Sequence, residues 1–162
     1  MHTVTSDSVR RGSGGGTVAV SERDTSTKRW IVHSNQLVKA MSVTCVLCVD
    51  DNRDVLQMLV DVLRNSGYAT LTAASGEQAL RVLLQRNTVD LVILDYEMPA
   101  MRGDLVAQEI RRRRGKLPII LFTGVPDDIP SSLREIVDAV VYKADFTGLL
   151  TAVANLTEMQ KK

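Results

Sequence analysis

The residues with chemical potential in this chain stand at regular places. Asp50 and Asp51 close the apolar run 43–49, Asp95 closes 91–94, Thr123 follows 117–122, and Lys143 follows 138–142. Short apolar runs flanked by helical periodicity read as parallel strands buried on both faces, and ligands of such sheets collect outside the strands' carboxyl ends. The five side chains are therefore predicted to share one pocket of three carboxylates, a hydroxyl and an ammonium. Carboxylates forced together resist simultaneous ionisation unless a cation joins them, and hard oxygen ligands suit Mg²⁺, with Mn²⁺ as the alternative ion. Asp95, alone at the end of the central strand, is placed to attack an electrophile, and phosphorus is the one this set serves. An attacking carboxylate yields an acyl phosphate, while the metal, Thr123 and Lys143 neutralise the equatorial oxygens of the transferring group. A simpler reading, in which Asp50 or Asp51 only caps the next helix, accounts for one acid but not for polar residues at four strand ends.

The elements that must position these groups follow from periodicity. From residue 43 onward strand and helix patterns alternate five times, the signature of an α/β fold with a doubly wound, five-stranded parallel sheet. Val55, Leu59, Val62 and Leu63 repeat at helical spacing until Asn65, Ser66 and Gly67 stop them, and 68–72 reads as the second strand. Ser75 with Gln78 matches a capping box at the start of a second helix. Gly103 to Arg114 is predicted as the third helix, with arginines 111–114 as a solvated, dipole-favoured carboxyl end rather than a nucleic-acid patch. Prolines 126 and 130 leave room for only a short fourth helix near 131–137. Phe146, Leu149, Leu150, Val153 and Leu156 form the inward stripe of the last helix.

Composition narrows the function classes. No apolar run approaches the roughly 18 residues that span a bilayer. The formal charge of +1 provides no global field for nucleic acid or anionic membrane. The expectation is a soluble, cytoplasmic protein with neither nucleic acid nor membrane as a direct partner. Cys45 and Cys48 have the spacing of a redox pair, but residues three apart in a strand point to opposite faces, so they read as reduced core residues. Residues 1–42, rich in Ser, Thr, Gly and Arg, read as a flexible tail, with Trp30 to Val32 as a short packing arm and Met41 as an alternative start. The domain itself is expected over 43–160.

These motifs resemble the receiver domain of two-component response regulators, which has a flavodoxin-like architecture. Asp50 and Asp51 resemble the family's acidic pair. Asp95, Met98, Pro99 and Gly103 match its phosphoacceptor loop, and Thr123 and Lys143 fall on its conserved hydroxyl and lysine. The resemblance implies a stand-alone signalling module of a phosphorelay, not a turnover enzyme. Asp95 would receive a phosphoryl group from a histidine kinase or phosphotransfer protein. Asp50, Asp51, Asp95 and the backbone carbonyl of Glu97 would gather Mg²⁺, and output would pass to a downstream protein target or through a homodimer.

Some positions depart from the family pattern. Ala144 stands where a cis-proline usually follows the lysine, and a cis bond before alanine would cost about 3 kcal/mol, so a trans bond is expected. Val140 occupies the aromatic switch position; Tyr142, on the same strand face, is a substitute, and Glu97 could modulate the phosphoryl lifetime. One rival is a phosphatase of the haloacid dehalogenase class, whose nucleophile precedes its acid pair and is followed two residues later by Asp rather than Glu97. Another is a receiver-like binding module that works without phosphorylation.

Overall fold

The computed structural model describes residues 43–160; the readings of the segment 1–42 lie outside these residues. Five strands alternate with five helices. In chain order they are β1 (Cys45–Val49), α1 (Arg53–Asn65), β2 (Ala69–Ala73), α2 (Gly76–Gln85), β3 (Leu91–Leu94), α3 (Gly103–Arg114), β4 (Ile119–Thr123), α4 (Ser131–Arg134), β5 (Ala139–Tyr142) and α5 (Phe146–Met159). All pairings are parallel and the strand order is β2-β1-β3-β4-β5. The chain reverses its winding direction between β1 and β3. That switch point is where the carboxyl ends of the two strands carry Asp50, Asp51 and Asp95.

Period-two alternation divides the core between the faces of the sheet. Leu47, Val92, Leu94, Ile119 and Leu121 pack with Ala79 and Leu83 of α2 and with Val106 and Ile110 of α3. Val46, Cys48, Leu91, Ile93, Ile120 and Phe122 pack with Leu59 and Leu63 of α1 and with Leu149 and Val153 of α5. The inward stripe expected for the last helix is thus observed, with Phe146 set edge-on to Phe122 at 5.7 Å between ring centroids. Cys48 is fully buried, and burial pushes its thiol pKa up to about 12; Cys45 is only half-buried.

Local geometry removes one alternative reading and differs from the expectations in two places. Neither Asp50 nor Asp51 caps α1; Asn52 does, its side chain accepting the Asp54 and Val55 N–H groups at 2.9 and 3.4 Å. This leaves both acids available to the site. At α2, Ser75 Oγ accepts the Gln78 N–H as predicted, but the Gln78 side chain reaches back to Ala74 N–H, one residue before the cap.

The arginine run lies in the last turn of α3 with Arg112 and Arg113 exposed, as expected, but it is also engaged in ways the expectation did not include. Arg111 donates to the carbonyls of Gly115, Leu117 and Ile136 and pairs with Asp138 at 2.9 Å. Arg112 and Arg113 both hold Glu109, whose carboxyl pKa they lower to about 2. The link from β4 to β5 contains a 3₁₀ turn (Pro126–Asp128) and the single turn of α4, so few of its carbonyls are satisfied by helix. Arg111 takes the Ile136 carbonyl, and Arg134 takes those of Ile129 and Pro126. Side-chain donors there replace the missing helical ladder.

Gly103, the first residue of α3, lies against the end of β3. A Cβ there would sit 2.3 Å from the Asp95 carbonyl oxygen and 2.9 Å from Tyr96 Cα. Neither backbone atom can yield without moving Asp95. Gly103→Ala is therefore expected to destabilise the domain by about 1–3 kcal/mol, the usual cost of overpacking. Thermal denaturation should show a lowered Tm, whereas Gly124→Ala, with nothing within 4 Å of its added carbon, should melt like the wild type.

Candidate functional site

Each side chain of the site is fixed by a strand end. Asp50 and Asp95 leave neighbouring strands, and their N–H groups continue the ladder to Ala73 O at 3.2 Å and Val49 O at 2.9 Å. Both are buried, Asp95 being 3% exposed, while Asp51 faces solvent. An oxygen from each of Asp50, Asp51 and Asp95 lies within 4.8 Å of the others. The three acids expected to converge do so.

Lys143 joins them. Its Nζ donates to Asp50 Oδ2 at 2.7 Å and stands 3.1 Å from Asp95 Oδ1. The remaining Asp50 oxygen accepts Asn52 N–H at 2.8 Å, so that carboxylate is well satisfied. Asp95 is not. Although Oδ1 is within ion-pair range of the ammonium, among the described residues it is the buried side-chain oxygen that receives no hydrogen bond of proper geometry. A buried carboxylate oxygen beside two other carboxylates, with only the Lys143 ammonium near it, can accept a further cation or electrophile.

The electrostatics agree. Burial raises the Asp95 pKa above the ordinary carboxylate value and the charge of Asp50 adds to this, while Lys143 and the Glu97 backbone N–H oppose it. Burial pulls the Lys143 ammonium down, but Asp50 and Asp95 more than offset it, and its pKa is raised. The ammonium stays charged and one carboxyl stays under pressure. The donor set of three hard oxygens suits Mg²⁺.

Thr123 is placed at the end of β4 and is fully buried, yet its Oγ1 accepts Val125 N–H at 3.2 Å and no hydrogen bond links it to the acids. Its carbonyl accepts Lys143 N–H at 2.9 Å, which ties the ends of β4 and β5 together. The expected pocket therefore forms as three acids and an ammonium, with the hydroxyl held aside by its own loop. Glu97 is exposed on the loop after Asp95. Val140 packs partly into the core, and Tyr142 is 50% exposed, lining an open cavity of about 600 Å³ with residues 124–128. The bond before Ala144 is trans, as expected.

Sequence reading passed over the floor of the Asp95 loop. Tyr96 is buried, and Arg102 stacks on it at 4.8 Å while donating to its hydroxyl. Ala100 adopts a left-handed φ of 65°, and Met101 lies beside Gly76 where α2 begins. An alanine in a conformation that favours glycine gives no signal in sequence.

Comparison with known proteins places this geometry. The response regulator receiver domain model matches residues 46–153. The transcriptional regulatory protein GlrR of Escherichia coli K12 is 33% identical over 116 residues, which is 70% of this chain and 26% of that protein. The probable transcriptional regulator ycf27 of Cyanidium caldarium is 39% identical over 82 residues, 51% of this chain and 32% of that one. The chain thus spans about a quarter to a third of the length of these relatives.

Among solved structures, a receiver domain protein from Clostridium thermocellum superposes with a TM-score of 0.69 at 27% identity, covering 74% of this chain and 98% of that one. The response regulator TrrA of Thermotoga maritima, in complex with Mg²⁺ and a beryllium fluoride, gives 0.64 at 36% identity, with 70% and 99% covered. TrrA bound to the histidine kinase ThkA gives 0.66 at 36% identity, with 70% and 98% covered. Among the described residues no helix is long and apolar enough to cross a membrane. With two thirds of its length matching the family model and its acids, threonine and lysine at the ends of the expected strands, the chain belongs to the response regulator receiver domain family.

Proposed function

We propose that residues 43–160 form a phosphoacceptor module that takes a phosphoryl group onto Asp95 from a histidine kinase or phosphotransfer protein and signals through protein contacts in the cytoplasm. Residues 1–42 are assigned as its tail. The observation that carries this reading is the unsatisfied, buried Asp95 Oδ1 standing 3.1 Å from Lys143 within a cluster of three carboxylates. TrrA, a relative of the same fold, is known in complex with Mg²⁺ and a beryllium fluoride and in complex with a histidine kinase.

In the proposed reaction a lone pair of the Asp95 carboxylate forms the new O–P bond as the bond from phosphorus to the donor's imidazole nitrogen breaks; the bonding pair stays on that nitrogen, and the donor, protonated on its other ring nitrogen, leaves as neutral imidazole. Asp50, Asp51, Asp95 and the Glu97 carbonyl would hold Mg²⁺, which when bound would neutralise charge on the phosphoryl oxygens. Lys143 supplies a second cation from a position it already holds. Thr123 Oγ1 accepts Val125 N–H and keeps its own O–H as a donor for the phosphoryl group, so turning the hydroxyl towards that group acts on the 124–128 segment through Val125. Asp50 and Asp51 precede Asp95 in the chain, the reverse of the haloacid dehalogenase order, and this supports a signalling module over that phosphatase. Val140 and Ala144 in place of the usual residues favour a second reading, a binding module that works without phosphorylation.

Three outcomes are expected. Incubation with acetyl phosphate and Mg²⁺ should add one phosphoryl group by intact mass, and Asp95→Asn or chelation should abolish it; no adduct favours the phosphorylation-independent module. Second, the raised Asp95 pKa gives stability that is present below the unfolded value of about 3.9 and lost as pH rises through the folded one. At neutral pH the metal-free Asp95→Asn variant should therefore melt above the wild type. Mg²⁺ should raise the wild-type Tm, adding about 2.7 kcal/mol at a hundred times its Kd. A wild type indifferent to Mg²⁺ would remove the metal from the account. Third, exposed Glu97 adds negative charge two residues past the acceptor. Glu97→Ala should change the decay rate of the adduct, measured by loss of the mass increment; an identical rate would exclude Glu97 as a modulator.

A further inference from the structure

The arginine run leaves one cation that the fold uses only in part. At the amino ends of the strands, opposite the carboxylate cluster, two cavities of about 500 and 610 Å³ flank Arg114, which lines both. Leu80, Leu84 and Ile110 line the first cavity, and Leu117, Leu156 and Met159 the second. Leu84 is 64% exposed and Met159 is 73% exposed. Single exposed apolar residues are ordinary. Here each borders a concave surface, and a cation stands between them.

The charge on this surface is positive. Arg114 donates to the Leu83 carbonyl at 3.2 Å and is held at the end of α2, but it meets no carboxylate among the described residues, and neither does neighbouring Lys116. Of the two acids of the larger cavity, Asp138 is paired with Arg111 at 2.9 Å, while Asp90 accepts Cys45 N–H at 2.8 Å and keeps its charge; Arg112, Arg113, Arg114 and Lys116 outnumber them across the two linings. We propose that this surface docks an acidic amphipathic segment of a partner protein, its apolar side chains filling the smaller cavity beside Leu84 and its carboxylates meeting Arg114 and Lys116. Charge complementarity selects an acidic occupant, and the apolar wall of the smaller cavity selects a peptide over a nucleic acid, as Glu109 already holds Arg112 and Arg113. The surface needs the fold but not phosphoryl transfer.

The test is fluorescence anisotropy of the full chain with a labelled helical peptide that carries leucines on one face flanked by glutamates. A duplex DNA oligonucleotide and phosphatidylserine vesicles serve as rival probes. Saturable binding is expected, weakened about tenfold, the factor that 1.4 kcal/mol carries, by either Arg114→Gln or Leu84→Ser. The salt dependence should shrink in Arg114→Gln alone. Thermal denaturation of both variants confirms that they fold, independently of whether Asp95 accepts phosphate. The proposal is overturned if the peptide shows no saturable binding or if both variants bind it as the wild type does. It is equally overturned if DNA or vesicles bind more tightly and are insensitive to Leu84→Ser.

Discussion

One ammonium makes the site tolerable. Asp50 and Asp95 leave adjacent buried strands, and two ionised carboxylates so placed would repel in a medium that screens them poorly. Lys143 lies between them, 2.7 Å from one and 3.1 Å from the other, delivered by the strand farthest from β1 on that side of the sheet. The compensation is incomplete. Asp50 is satisfied by Lys143 and Asn52, whereas Asp95 keeps an oxygen without a hydrogen bond and a raised pKa. This asymmetry sets the two acids apart: Asp50 is held by its partners, and Asp95 keeps the oxygen on which the proposed phosphoryl transfer rests.

The rest of the fold serves that placement. The switch point between β1 and β3 brings the acids together, the Thr123 carbonyl ties β5 to β4, and Gly103 lets α3 begin against the Asp95 backbone. At the opposite end, Arg111 and Arg134 hold a connection too short in helix to satisfy its own carbonyls. Near the site Thr123 Oγ1 accepts Val125 N–H, Val125 packs against the core, and Arg134 holds the Pro126 carbonyl. The connection is thus held along its length, and Val125 is the residue that links it to Thr123.

Much of this was legible in the sequence because burial on both faces writes itself as apolar runs. The strands of Asp50, Asp95 and Thr123 were found that way, and strand ends then located the site without any side-chain contact being known. What stayed illegible depends on tertiary reach. Nothing in the spacing of arginines 111–114 says that Arg111 spans 25 residues to Ile136 while Arg112 and Arg113 turn back to Glu109. Asn52 caps α1 while Asp50 meets Lys143, a partner 93 residues away, and no local spacing announces that division. Hydroxyl orientation is similarly hidden, since Thr123 finds its partner in the next turn and not in the pocket.

The most direct test of the central claim is to locate the acyl phosphate chemically. Protein treated with acetyl phosphate and Mg²⁺ would be reduced with borohydride, which converts an aspartyl phosphate to homoserine, and the peptide containing residues 91–102 would be sequenced by mass spectrometry. The account predicts homoserine at position 95 alone, and only when Mg²⁺ was present. Homoserine at position 50 or 51, or an unmodified Asp95 in protein that carries the phosphoryl mass, would contradict it.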